Sequence, residues 1–189
     1  MASTINASSS STTGVITTAD ASGDLNLQNN GTTAISTSGG NATISNKLTA
    51  VGTSSTAGLK VADILETATV SATAATGTIN YDVTTQAVLY YTSNASANWT
   101  VNFRGSSGTS LNTLMATGES LTVAFFVTQG TTAYYNSAVQ VDGSSVTPKY
   151  QGGTAWSAGN ASSIDAYVYT IIKTGSAAFT VFAAQTQFK

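Results

Sequence analysis

The residues equipped for chemistry are few: eight carboxylates, six lysines or arginines, and neither histidine nor cysteine in 189 residues. Without His or Cys, a Ser-His-Asp or Cys-His catalytic device is excluded, as is a zinc site with nitrogen or sulfur ligands. What remains for bond breaking is a pair of acids, which can act as proton donor and as base or nucleophile at a glycosidic bond. Asp63 and Glu66 are spaced to share a helical face, and Asp142 and Asp165 are able to meet across loops. Turn and surface duties easily account for each of these acids. The expectation is therefore no catalytic residue, and a chain that is not an enzyme.

Asp20-Ala-Ser-Gly-Asp24 has the look of part of a calcium loop but lacks the downstream bidentate Glu, so it reads as a turn. No metal and no cofactor is expected. The more informative side chains are aromatics set in polar sequence. Tyr134, Tyr135, Tyr150 and Trp156 lie beside Asn136, Gln151, Gly152, Gly153 and Asn160. That mixture can stack on a sugar ring and hydrogen-bond its hydroxyls, which makes these four the candidate contacts for a surface glycan. The competing reading is that they plug the ends of a β-sandwich or a subunit seam.

Charged residues make up only 7% of the chain and the net charge is −2, so no basic surface exists to attract nucleic acid or anionic lipid. Solubility must come from hydroxyls and amides. The first residues have neither a basic region nor an apolar run of signal-peptide type, and no stretch is apolar enough to span a bilayer as a helix. The expectation is a chain without its own secretion signal or membrane insertion.

Val, Thr, Ile, Tyr and Phe outnumber the strong helix formers, which points to strands. The pattern is clearest from residue 59 onward. Strands are predicted at 68–73, 78–83, 86–92, 97–104, 120–128, 132–141, 145–150, 165–173 and 177–184. Trp99, Val101 and Phe103 alternate with polar neighbours, as do Leu121, Val123, Phe125 and Val127, so these faces belong to the core. Asp142-Gly143 and Thr174-Gly175 mark hairpin turns. Pro148 cannot donate to a ladder and must lie at an edge or a bulge. Leu111, Leu114 and Met115 suggest one or two helical turns within 110–117, and 59–65 is either a helical turn or a strand. With no helical crossovers, the expected fold is all-β: a jelly-roll-like antiparallel β-sandwich over 59–189. On 165–173 both faces carry large side chains, so one is free to meet a neighbouring subunit or a covering loop.

Residues 1–58 obey different rules. Gly14, Gly23, Gly31 and Gly39 separate short stretches such as Val15 to Thr18 and Leu25 to Gln28, the spacing of an extended, hairpin-rich segment. Large apolar residues are too sparse there to offset the entropy of ordering the chain alone. Either this is a flexible Ser/Thr-rich tail, or it takes shape among copies of itself in an attachment and oligomerisation segment.

The opening Met1-Ala-Ser-Thr-Ile-Asn-Ala, the stretch from Gly14 to Leu25 and Leu27-Gln-Asn-Asn-Gly-Thr-Thr-Ala-Ile resemble the N-termini of tailed-bacteriophage virion proteins of the tail-fibre type. The run from Val127 to Thr154, continuing through Gly159 to Asp165 and Tyr169 to Thr174, is similar to a terminal domain of marine and cyanobacterial phage structural proteins. The resemblance implies a trimeric virion component with an N-terminal attachment segment and a C-terminal β-sandwich; together with the lack of catalytic residues, the expectation is a non-enzymatic, short fibre-like homotrimer held to tail, baseplate or capsid proteins by that segment. The sandwich would then face the host surface. Two alternatives accompany it: a capsid-decorating cement protein, and a polysaccharide-binding or depolymerising protein.

Overall fold

The computed structural model describes residues 61–189, together with positions 28–29, 32–33, 48 and 59. The chain divides into two compact units, Met1–Val61 and Ala62–Lys189. In the first, β1 (Gln28–Asn29) pairs antiparallel with β2 (Thr32–Thr33), Gln28 opposite Thr33. The residues between them in sequence are Asn-Gly, the dipeptide that hairpins favour because it tolerates positive φ. The other glycine-spaced stretches and the acidic Asp20 to Asp24 segment lie outside the described residues.

The second unit is a sandwich of two sheets. Its strands are β3 (Ala68–Ala74), β4 (Gly77–Asp82), β5 (Val88–Ser93), β6 (Trp99–Arg104), β7 (Ser120–Thr128), β8 (Asn136–Val141), β9 (Ser144–Val146), β10 (Lys149–Tyr150), β11 (Ile164–Gly175) and β12 (Ala178–Phe188). One sheet has six strands in the order β10-β12-β11-β7-β5-β3, the other four in the order β4-β6-β8-β9. A single helical turn, α1 (Leu111–Leu114), interrupts the β6 to β7 connection and sets Leu111 and Met115 in the core. Among the described residues no helix is long and apolar enough to cross a membrane.

The sequence pattern predicts antiparallel pairing, as in a jelly roll, and here the structure differs. From β3 to β8 successive strands alternate between the two sheets, so the chain winds between them and returns beside the strand before last. Neighbours made in this way run in the same direction. β3 with β5, β5 with β7, β4 with β6 and β6 with β8 are all parallel pairs. Parallel neighbours need a crossover, and the facing sheet supplies it where a helix usually would. Antiparallel pairing enters with the β8–β9 hairpin and along β7, β11 and β12.

Several local expectations are met in detail. β7 has the predicted bounds. Asp142 and Gly143 have φ values of 51° and 78°, the two positive angles that a type I′ turn requires. Pro148 falls where the chain leaves one sheet for the other, between edge strands β9 and β10. The expected strand at 145–150 is broken there because proline brings no N–H to either ladder. In the last hairpin the positive angle falls on Ala177 (φ 49°), two residues beyond Gly175. The expected strand at 132–141 begins only at Asn136, since the preceding residues are drawn into a loop network. Segment 61–67 is neither helix nor strand, and its Ile64 and Leu65 are exposed.

Between the sheets, aromatic rings meet edge to face, Trp99 on Phe125 and Tyr167 and Phe103 on Tyr169, and within the six-stranded sheet Tyr91 meets Phe125 in the same way. Such pairs add about 0.5–1.5 kcal/mol each to their area burial. At one end of the sandwich the inter-sheet loops stack by hydrogen bonds: Ser96 N to Ala75 O, Ala95 N to Thr128 O, Ser162 N to Gly130 O. This stack closes on Asp165, whose side chain is fully buried. Its Oδ2 accepts from Gln129 Nε2 (3.0 Å) and Asn160 N (3.0 Å), and its Oδ1 from Asn160 Nδ2 (2.6 Å). Gln129 in turn clasps Tyr134 through both backbone groups. Gly159 is required at this point, because a Cβ there would overlap the Tyr134 carbonyl.

Asp165→Ala would leave buried amide donors without an acceptor, at about 1–3 kcal/mol apiece. The expected result is a urea midpoint lowered by the equivalent of about 3 kcal/mol, with Gly159→Ala also destabilising, by about 1–3 kcal/mol through overpacking. Equilibrium unfolding followed by tryptophan fluorescence measures both. A wild-type midpoint for Asp165→Ala would remove this carboxylate from the determinants of the fold.

Candidate functional site

The four aromatics singled out from the sequence are not gathered into one platform. Tyr150 and Trp156 are brought together, ring centroids 4.8 Å apart and nearly perpendicular. Tyr150 reaches this corner on β10, and Trp156 follows the 3-10 turn at 151–153, where Gly152 and Gly153 take φ of 72° and 78°. Those positive angles reverse the chain and lay the indole against the inner face. There it meets Tyr167 at 5.2 Å and Tyr169 at 6.4 Å, and its N–H donates to the Asn136 carbonyl at 2.6 Å.

Tyr134 and Tyr135 belong to the β7 to β8 loop. Tyr134 is tied to Gln129, and the Tyr135 N–H donates to Asn98 Oδ1 at 3.0 Å. Trp156, Tyr150 and Tyr134 all pack against the hydrophobic core.

Beside Trp156 lies a cleft of about 220 Å³, bordered by Gln151, Gly152, Thr154, Ala183 and Gln185. A half-buried indole, the small Ala183 and Ala184 and three hydroxyl or amide groups suit one sugar ring rather than a chain of them. Gln185 is already engaged, its Nε2 donating to the Ala158 carbonyl (3.2 Å) and Tyr167 Oη (3.1 Å). A broader hollow of about 500 Å³ lies between Thr128, Ser162, Ile164, Phe188 and Lys189. Thr128 Oγ1 is buried there without a hydrogen-bond partner. No sequence signal marks this second hollow, because its parts come from three separated segments.

The carboxylates do not form the pairs that their spacing allowed. Asp63 and Glu66 sit exposed on irregular backbone, with Asp63 Oδ1 accepting from Ile64 N. Asp142 caps α1: Leu111 N donates to its Oδ1 at 2.7 Å and Asn112 N to its Oδ2 at 2.9 Å. Ser110 completes that cap by accepting from Thr113 N. α1 lies against the far end of β11, where Lys173 Nζ donates to the carbonyls of Asn112 and Met115. Asp165 is eight residues back along the same strand, roughly 26 Å at about 3.3 Å per residue. Asp142 and Asp165 therefore occupy opposite ends of the sandwich, because β8 carries the chain across its length before the hairpin. Asp82 pairs with Arg104 across the parallel ladder of β4 and β6. No cluster of three metal-ligating side chains occurs among the described residues.

The fold and its polar loops define a two-sheet, aromatic-cored β domain wound from parallel coils. No family model, curated protein or solved structure matches the chain.

Burial raises the phenol pKa of Tyr81, Tyr167 and Tyr169, with the charges of Glu66 and Asp165 adding to it at Tyr81 and Tyr167 respectively. Tyr169 Oη also donates to Asn136 Oδ1, at 2.9 Å. The folded protein thus holds protons that the unfolded chain releases near pH ~10. Stability is complete below that pH and is lost as pH climbs past it toward the raised folded values. The expected outcome is a urea midpoint that falls steadily above pH ~10, with the phenolate absorbance of the buried three rising only on unfolding. A single titration near the ordinary value for all eight tyrosines would contradict this.

Proposed function

We propose that this chain is a non-enzymatic structural subunit of a tailed-phage particle. In this reading it is a short fibre-like trimer, attached through residues 1–58 to tail, baseplate or capsid proteins, with the sandwich presented to the host surface. The observation that carries the non-catalytic part is the use made of its acids. Asp142 and Asp165, one of the two acid pairs whose places in the sequence allow a hydrolytic site, engage both oxygens with amide N–H groups at opposite ends of the domain. Each acts as a local organiser of backbone, one for a helix start and one for stacked loops.

The phage part draws on the resemblance of the leading segment and of the run from Val127 to Thr174 to virion proteins. A lattice of Ser, Thr, Asn and Gln side chains also suits a subunit whose outer surface is exposed to varied ionic conditions, since amides and hydroxyls are little affected by salt. On the outer face of the four-stranded sheet, Asn102 Nδ2 donates to Asn80 Oδ1 at 2.9 Å, and Asn102 Oδ1 accepts from Gly143 N. This carboxamide pair binds one coil to the next.

Antibody raised against the recombinant chain and applied to purified particles of the encoding phage tests this reading. Gold label on tail or fibre is expected, at a copy number far below that of the major capsid protein. Label over the whole head at near-capsid copy number would replace the fibre with a cement role. Particles free of label, or release of reducing sugar from host polysaccharide that Asp142→Asn or Asp165→Asn abolishes, would sink the proposal.

A further inference from the structure

The two outer faces of the sandwich differ in kind. That of the four-stranded sheet is closed on itself by polar contacts: Asn80 to Asn102, Asp82 to Arg104. That of the six-stranded sheet carries no outward charged side chain on β3, β5, β7, β11 or β12, and Lys149 of β10 stands at its margin. Lys173 and Asp165 of β11 both turn inward and are buried.

The cross-strand register sorts this face into rows. Tyr90 lies opposite Phe126, their rings 6.2 Å apart and edge to face, and Phe126 meets Phe188 at 6.2 Å, which together make an aromatic ridge. Next to it runs a row of small side chains, Ala68, Val88, Ala124, Val168 and Ala184, one from each strand. Beyond that row stand Phe182 and the hydrogen-bonded Thr122 and Thr170. Apolar side chains across the face are open to solvent: Val70 is 66% exposed, Val168 39%, Phe182 46% and Phe188 53%.

We infer that this face is an interface between copies of the chain. Charge, relief and area all suit a copy of the chain. A charged partner surface would lose its hydration here and meet no counter-ion, a cost of several kcal/mol per ion, whereas a copy brings the same charge-free wall. The relief is self-complementary, since the aromatic ridge of one copy has the shape to enter the small-residue row of another, as facing sheets do when they pack about 10 Å apart. Five strands at about 4.8 Å spacing and about 25 Å of strand length give a plan area on the order of 500 Å². Side-chain relief brings the accessible area toward the ~800 Å² per partner of a stable interface.

This deepens the self-assembly part of the proposed function and rests on no part of the phage assignment. An oligomer found on no particle leaves it standing, and a monomer found on particles sinks it alone.

Because the chain has no cysteine, one introduced thiol reports contact between copies without ambiguity. Full-length Val168→Cys, oxidised at micromolar concentration, is expected to give disulfide-linked copies on a non-reducing gel. Asn80→Cys on the opposite face is expected to stay unlinked. In parallel, light scattering should find wild type oligomeric and Val168→Lys with Phe182→Lys at least tenfold weaker in self-association, with unchanged circular dichroism. A wild-type monomer would overturn the inference, and so would an oligomer in which the Val168→Cys thiol fails to link and the lysine variants assemble normally. A monomer in which that thiol resists alkylation would show that the chain's own leading segment covers the face, and would overturn it equally. Should the lysine variants misfold, the thiol result decides alone.

Discussion

A chain with so few charges has to close its buried polar groups with amides, and the structure turns on the point where that is hardest, the Asp165 carboxylate. Fully buried, it is held by N–H donors from Gln129 and Asn160. An ionised carboxylate taken from water is costly unless hydrogen bonds replace its hydration. Here they also join the β7 to β8 loop to the segment that enters β11. The loops stacked beneath them, and through those the parallel coils, depend on this closure. Gly159 fits only because it lacks a side chain.

Winding the chain between sheets has a second consequence. Successive coils place like positions side by side, so Asn80 meets Asn102, Asp82 meets Arg104, and on the other sheet Ala68, Val88 and Ala124 align. Each sheet thereby acquires rows of one chemical character. One outer face becomes a ladder of polar bonds and the other a charge-free wall with an aromatic ridge. The inner faces interlock as aromatic rings in edge-to-face contact, the arrangement that ring quadrupoles favour.

The candidate glycan residues show how composition and placement can diverge. An aromatic in polar sequence is equally a stacking platform or a plug, and Trp156 takes the second geometry on its inner side while leaving a small cleft on its outer side. Tyr134 and Tyr135 share its kind of neighbours in sequence but not its corner of the fold. The loop bonds to Gln129 and Asn98 are long-range or side-chain-specific, and no periodicity announces them. The same holds for Asp142, whose role at the start of α1 spans about thirty residues of sequence.

Much of the strand layout was legible in the amino acids because alternation records which face is buried, as in Trp99, Val101 and Phe103, and because turns need particular φ values, as at Asp142-Gly143. Pro148 announced a break by what it cannot donate. The direction in which strands pair was not legible, since a strand's own pattern is the same beside a parallel or an antiparallel neighbour. Only the tertiary structure decided that β3 to β8 wind as coils, that the acids stand at opposite ends, and which outward face was left without charge, because each of these depends on register between segments far apart in the chain.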